Sequence, residues 1–459
     1  MSNRGVHNKE IAMTNAEQYA ILENIASDVA KIAAGYTSIS ETFTNAEIVN
    51  VKEYGARGNG ITDDTDALNT ALARNPYKCI MLPSGTYNIS GSLKMNHGVT
   101  LIGLGKVVIK RVAKYPAIIF VPEQDKIGST TYFGISDVSL QNITIDCNGT
   151  NLGRSYTCGA ILNYCNNISF KNCTFKDSFS SHAIELGGSN NVEFIDCKFL
   201  NCYPQGAKTT VDNLHTACEV VQMEPTLSND YSVSTLYGID DVKYEVSSKN
   251  IKFIRCSFIN DGSVPKMFTC IGNHYNRERN GYNPDGLLIK DCYFDGAYYN
   301  AIRLYSVNNA IVTNNIVKNC PCAVSLTRDA RRSVGNENVI IANNLFECIA
   351  DEEEPLSPIC EQVRWENATN LHKNIAIVNN IFNGDDIHQY IDLHDVNTFT
   401  ISNNIFSNTA DYAMVLKNLS NGIISNNIAC NLAHNPNVDA LTQTNLTNVT
   451  LNNNTFMRK

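Results

Sequence analysis

NNISFKNCTF, residues 166–175, decides the fold, because its pattern returns along the rest of the chain as NNVEFIDCKF, KNIKFIRCSF, DGLLIKDCYF, ENVIIANNLF, KNIAIVNNIF, NTFTISNNIF and TNVTLNNNTF. With Ile168 as position one, positions one and three are apolar: Ile168 and Phe170, Val192 and Phe194, Ile375 and Ile377, Val449 and Leu451. This is the alternation of a half-buried strand. Position six holds Cys173, Cys197, Cys256 and Cys292, and then Asn315, Asn344, Asn380, Asn404, Asn427 and Asn454. Position eight is mostly Phe, as at Phe175, Phe199, Phe258, Phe294 and Phe382. Successive copies come as close as 23 residues (Cys292 to Asn315), so each copy is one turn of a coil of short strands. One coil cannot bury its apolar residues alone, whereas stacked coils can.

The passage from Val51 carries a different signal: VKEYGARGNGITDDTDALNTALARNPYKCIMLPSGTYNISGSLKMNHGVTLIGLG. Its glycines mark tight turns, Asp64 is placed to cap a helix, and Ala67, Leu68, Ala71 and Leu72 give that helix an apolar face. Cys79–Leu82 and Thr86–Ile89 read as short strands around a Pro-Ser-Gly turn. Asp63, Asp64 and Asp66 fit helix capping better than a metal site. The passage closely resembles the opening of pectate lyase-like right-handed parallel β-helix proteins, a group with many phage tailspikes and polysaccharide-degrading enzymes. The resemblance implies an all-β chain, a right-handed single-stranded parallel β-helix over residues 51–459.

Residues 1–50 read as an attachment or trimerisation segment and linker. Thr14 and Glu17 fit a capping box, Gly35 a helix stop, and Leu22, Ile25, Val29 and Ile32 a short apolar seam. The net charge of −9 argues against a nucleic-acid surface and against polybasic docking to a membrane. No apolar run reaches membrane-spanning length. MSNRGVHNKEIAMTNAEQ lacks the blocks of a secretory signal, so release by a route such as lysis is expected. Sixteen cysteines, four of them at one stacked position, read as reduced apolar filler made in a cytosol.

Long coils mark where loops are inserted, at about 200–250, 259–286 and 347–374. Loops grown from one region of a stiff rod frame binding sites. The Asp351-Glu352-Glu353-Glu354 run reads as a solvated loop; no motif supports Ca2+ or any other metal or cofactor.

Strand parity locates the face able to do chemistry. A strand precedes each repeat, and the residue seven places before position one points outward: Ile161, Glu185, Arg303, Asp392, Val415 and Thr442. Alignment by eye adds Gln222 in EVVQME and Asn273 in CIGNHY. Two residues further along, the outward positions are Glu224, Tyr305 and His394, with His274 and Tyr275 beside Asn273. His182 has the parity of an inward-facing turn residue.

Two chemistries fit. Glycoside hydrolysis needs two carboxyl groups, and Glu185 with Glu224, roughly 8 Å apart by strand spacing and rise, would suit inversion. Elimination from a uronic-acid glycan needs the substrate carboxylate neutralised, by Gln222 or Asn273 with Arg303, and a base, His274 or Tyr305. The expected catalytic set is therefore Glu185, Glu224, His274 and Arg303, with Gln222, Asn273, Tyr275, Tyr305, Asp392 and His394 binding substrate. The ordinary alternative for each is solvated surface, including a weak Glu185–Arg303 pair. The resulting expectation is a tailspike-like depolymerase of a bacterial surface polysaccharide in a phage virion. The resemblance implies a homotrimer, joined to a tail or baseplate protein through residues 1–50. A noncatalytic glycan-binding adhesin uses the same patch and stays open.

Overall fold

The computed structural model divides into two compact units, Met1–Ile48 and Val49–Lys459. It describes residues 48–115, 117–120, 134–153, 158–179, 182–202, 219–224, 246–264, 266–273, 283–328, 335–350, 356–363, 371–384, 387–408, 412–432 and 441–458. The expected helix over 14–35, the acidic run 351–354, His274 and Tyr275 lie outside the described residues, as does the side chain of Glu224.

Through residues 158–383 a coil carries three strands, each paired in parallel with its counterparts in the neighbouring coils, while in Gln389–Ser402 and Tyr412–Ser425 the first two run together as one. The leading strand Ile184–Gly187 lies between Cys158–Asn163 and Glu219–Glu224. The repeat strand Asn190–Ile195 lies between Asn166–Lys171 and Lys249–Ile254. The short strand Lys198–Leu200 lies between Thr174–Lys176 and Ser257–Ile259. The repeat read from sequence is thus the second and third strands of these three-stranded coils. Each of the three intervals read as inserted loops contains a leading strand, at Glu219–Glu224, Met267–Gly272 and Ile359–Val363.

Inside the coils, equal positions stack into ladders. Phe170, Phe194 and Phe253 stack with ring centroids 5.0 and 4.9 Å apart. Phe175, Phe199, Phe258 and Phe294 form a second stack at 5.4, 4.5 and 5.0 Å. Such spacing leaves no room for water and keeps the rings in dispersion contact along the axis. At position six the two fillings work differently. Cys173, Cys197 and Cys256 are buried thiols that point at backbone carbonyls of Leu140, Phe170 and Phe194. From Asn315 onward the amides chain together: Asn380 Nδ2 donates to Ile341 O at 2.9 Å and Asn404 Oδ1 at 3.1 Å, and its Oδ1 accepts from the Asn344 backbone N–H. Every described cysteine is a free thiol.

Asparagine is abundant for a conformational reason as well. The corner residue before position six has positive φ at Asn172, Asn314, Asn343, Asn379, Asn403, Asn426 and Asn453, between 50° and 59°. Among residues with a side chain, Asn tolerates this left-handed region best. In other coils Asp196, Arg255 and Asp291 take the same conformation.

At the N-terminal end, helix Thr65–Arg74 buries Leu68, Ala71 and Leu72 as expected. Asp64 occupies its N-cap position, but its side chain makes no cap bond and instead accepts from the backbone N–H of Arg57 and Gly58 at 2.6 and 2.9 Å. Asp63 takes the local bonds, accepting from Thr65 N at 3.0 Å. The carboxylates of Asp63 and Asp64 therefore tie turns.

Candidate functional site: the outer face of the leading strands

Backbone register turns the parity argument into an observed column. Ile161 pairs with Glu185, Glu185 with Gln222, Gln222 with Gly272, and Arg303 with Ser325. Beyond them Cys360 pairs with Asp392, Asp392 with Val415, and Val415 with Thr442. The second outward column contains Asn163, Gly187 and Glu224, then Tyr305, Thr327 and Gln362, and then His394 and Lys417.

One placement by eye is corrected. Gly272, not Asn273, continues the column from Gln222. Asn273 is fully buried, donating from Nδ2 to Tyr305 O at 2.8 Å and accepting the Tyr305 N–H at 3.1 Å. An amide whose donor and acceptor both serve the next coil's backbone is a corner ladder residue rather than an outward-facing one.

The weak Glu185–Arg303 pair is also replaced. Arg303 reaches back two coils to Glu219, Nη1 to Oε1 at 3.1 Å, with side chains 6% and 0% exposed. Its Nη2 lies 3.4 Å from Thr269 Oγ1 and its guanidinium 5.9 Å from the Tyr299 ring centroid. Gly272 makes this possible, because a Cβ there would lie 2.9 Å from Arg303 Cβ and 3.2 Å from Glu219 Cγ. Arg303 is thus held in a buried ion pair rather than presented as an exposed cation.

Glu185 is half-buried and accepts from Cys158 Sγ at 3.6 Å, and Gln222 beside it is mostly buried. Glu224 pairs with Gly187, two residues along the strand from Glu185, which is the offset the carboxyl-pair argument requires. His182 Nδ1 lies 2.5 Å from Glu219 O, in keeping with its turn parity.

A second charged group lies further along the same face. His394 Nε2 is 2.8 Å from Asp392 Oδ1, and its Nδ1 is 3.8 Å from Glu361 Oε2. Gln389 Nε2 donates to the other Asp392 oxygen at 3.0 Å. Glu361 pairs with Arg328 Nε, and Arg328 Nη2 is 2.5 Å from Asp395 Oδ2. Burial pushes the Glu361 carboxyl up to about 7, against the pull of Arg328. Contact with Asp392 raises His394, with burial opposing. Asp392 and His394 sit where parity placed them; Glu361, Arg328, Asp395 and Glu219 were missed. Glu361 carried a usable signal: Leu304 pairs with Leu326, and Leu326 with Glu361, so a carboxylate interrupts a leucine column. The far partner of Glu219 is separated from it by 84 residues, and no sequence spacing reveals that pair.

Comparison with known proteins agrees with this architecture. Residues 48–256 match the family described as rhamnogalacturonase A/epimerase, pectate lyase-like. Over 292 residues the chain is 28% identical to plasmin and fibronectin-binding protein A of Streptococcus pneumoniae, covering 58% of this chain and 38% of that protein. A pre-neck appendage protein of Bacillus phage phi29 is 26% identical over 197 residues, 41% of this chain and 21% of the relative. The chain therefore spans well under half the length of these curated relatives. The solved structure of the S. pneumoniae surface protein and adhesin PfbA superposes with TM-score 0.62 at 19% identity, over 89% of this chain and all of that one (100%). No helix among the described residues is long and apolar enough to cross a membrane. The parallel pairing of the described strands and the superposition identify the chain as a right-handed parallel β-helix protein, of which residues 48–256 match a pectate lyase-like family.

Proposed function

We propose that the chain is the glycan-engaging rod of a phage virion appendage that binds and cleaves a bacterial surface polysaccharide. The observation that carries this reading is the outer face of the leading strands. There Glu185 and Gln222 stand in register, and Asp392 with His394 continues the same two columns. Coils repeat about every 4.8 Å, so these columns run parallel to an extended polysaccharide and offer polar groups at a spacing near that of sugar units. The matched family contains polysaccharide-acting enzymes, and a phage appendage protein is among the relatives, which supports a glycan substrate and a virion setting.

Glu185 and Glu224 are the proposed carboxyl pair, one protonating the leaving oxygen while the other activates water. Residues 1–50 are the proposed attachment to a tail or baseplate protein. A homotrimer is proposed on an exposed aliphatic row: Ile316, Leu345, Ile381, Ile405 and Ile428 occupy successive coils at one outward position of the short strand. The four isoleucines are 37–44% exposed, and such a contiguous patch favours association.

A second reading, a noncatalytic adhesin, is favoured by the likeness to the pneumococcal surface protein. Product analysis after incubation with bacterial capsular and wall polysaccharides separates the outcomes. New reducing ends indicate a hydrolase, products with an unsaturated uronic end a lyase, and binding without shortening an adhesin. Loss of cleavage in Glu185→Gln with the fold intact is expected; full activity in that variant would remove the carboxyl pair from the account.

A further inference from the structure

Cys158 differs from the thiols of the position-six ladder. Cys173, Cys197 and Cys256 give their S–H to backbone carbonyls inside the coils, whereas Cys158 Sγ lies 3.6 Å from Glu185 Oε2, within the reach of a sulfur donor. Cys158 is 3% exposed and packs with Ala117 and Ile161 in a small apolar cluster separate from the main core. Gly159 lets the two strands close up at this point: a Cβ on it would lie 2.6 Å from Ala183 O, which accepts the Ala160 N–H at 2.9 Å. In register, Glu185 is flanked by buried Ile161 before it and buried Gln222 after it. In such surroundings a weak donor counts for more than it does in water.

We propose that Cys158 is a positioning residue for Glu185: its thiol holds that carboxyl group ionised and aimed, so that Glu185 is the base of the proposed carboxyl pair and Glu224 the acid. A donor to the charged form of a carboxyl group favours that form, and a thiol in apolar surroundings stays protonated and able to donate. In the hydrolytic step Glu185 takes a proton from water while the water oxygen bonds to the anomeric carbon. The bond from that carbon to the leaving oxygen breaks, and Glu224 supplies the proton that the leaving oxygen gains. One water is consumed, and the thiol keeps its proton throughout. The titratable and charged groups on the elements around Ile184–Gly187 are Cys158 on the strand before it, Glu219 and Glu224 on the strand after it, and His182 in the turn leading into it. Glu219 is held by Arg303, His182 contacts the Glu219 carbonyl, and Arg111 is within electrostatic reach of Cys158. The inference rests on the hydrolytic reading of this face and adds which carboxyl group takes which role, and why.

The test uses Cys158→Ala and Cys158→Ser in the full chain. The Glu185 carboxyl group is titrated by NMR in protein labelled at the glutamate carboxyl carbons, its signal being the one absent from Glu185→Gln. For any bacterial surface polysaccharide that wild type cleaves, the acidic limb of kcat/KM is measured as well. In Cys158→Ala the Glu185 titration and the acidic limb should both move up by about half to one pH unit, the worth of one modest hydrogen bond. Cys158→Ser keeps a donor, which the half-buried Glu185 can move to meet, and should titrate at the wild-type value or below it. An unmoved titration in Cys158→Ala, or an equal shift in both variants, makes the thiol a packing group and overturns the proposal. An acidic limb that stays in place while the NMR titration moves removes Glu185 as the base. If no polysaccharide is cleaved, the hydrolytic reading and the base role fall together, and the titration alone then confirms or removes the thiol contact.

Discussion

Arg303 and Glu219, 84 residues apart in the chain, form a buried ion pair of 3.1 Å that crosses the bare Cα of Gly272. The pair staples three consecutive leading strands. Removing one partner strands a charge in a site where neither side chain reaches water, at a cost of about 3 kcal/mol or more. Glu219→Ala is therefore expected to lower the melting temperature sharply, and Glu219→Leu/Arg303→Met to recover most of the loss. Equal stability of Glu219→Ala and wild type in thermal unfolding would show that the pair carries no weight.

Gly272→Ala should act through the same staple. Its Cβ would meet Arg303 Cβ at 2.9 Å, a contact that backbone or the Arg303 stem must yield to. A loss of about 1–3 kcal/mol is expected, as for other overpacked sites. In an Arg303→Ala background the loss should shrink, which chemical denaturation of the double variant measures.

The two fillings of position six lead to an asymmetric prediction. Asn380 joins the coils on both sides through its side-chain amide, so Asn380→Ala leaves several buried groups unpaired and should cost about 2–4 kcal/mol. Asn315 sits at the junction, donating to Ile289 O and giving its Oδ1 to the Cys292 backbone N–H. Asn315→Cys extends the thiol ladder by one rung and should be tolerated better than Asn380→Cys. Melting temperatures of the two cysteine variants under reducing conditions decide it.

Titration of the second charged cluster should be visible in stability. The folded-state pKa of Glu361, about 7, is above its ordinary value of 4.5, so folding gains as pH falls from about 7 toward 4.5. The gain is up to about 3 kcal/mol. His394, raised by Asp392, acts in the same direction: its contribution is present below its ordinary pKa and is lost as pH rises through the folded value. His372, fully buried and pushed down to about 3 by burial and the Arg328 charge, opposes them, costing stability as pH falls below 6.5. The groups facing Glu361 are Arg328, His394 and, through Arg328, Asp395. The melting temperature of wild type relative to Glu361→Gln should therefore be more favourable at pH 5 than at pH 7.5. An equal difference at both would contradict the raised Glu361.

If the exposed isoleucine row is an interface between copies, Ile381→Lys/Ile405→Lys should leave the coils folded and reduce the molar mass in light scattering to that of one chain. A wild type that is already monomeric would exclude the row as an interface.

Much of this was legible in the sequence because a stacked coil repeats its constraints. NNISFKNCTF fixed strand parity, so Ile161, Glu185, Arg303 and Asp392 could be assigned to one outward column from spacing alone, and register bears that column out. Where a coil deviates, parity lost its reference. Asn273 was placed one residue off because the strand Met267–Gly272 carries a register shift between Met267 and Thr269. The partners of Arg303 and Glu361 were hidden for a different reason. They depend on which side chains cross from coil to coil, and that is set by a missing Cβ at Gly272 and by a carboxylate in a leucine column, neither of which a repeat average retains.

On the proposed function, the leading-strand face engages a polysaccharide and shortens it. Size-exclusion chromatography of purified bacterial surface polysaccharides after incubation with the pure protein tests it most directly. At least one polysaccharide is expected to bind and elute later with time, and Glu185→Gln is expected to bind it without shortening it. Polysaccharides that neither bind nor change in size, across capsular and wall classes, would contradict it.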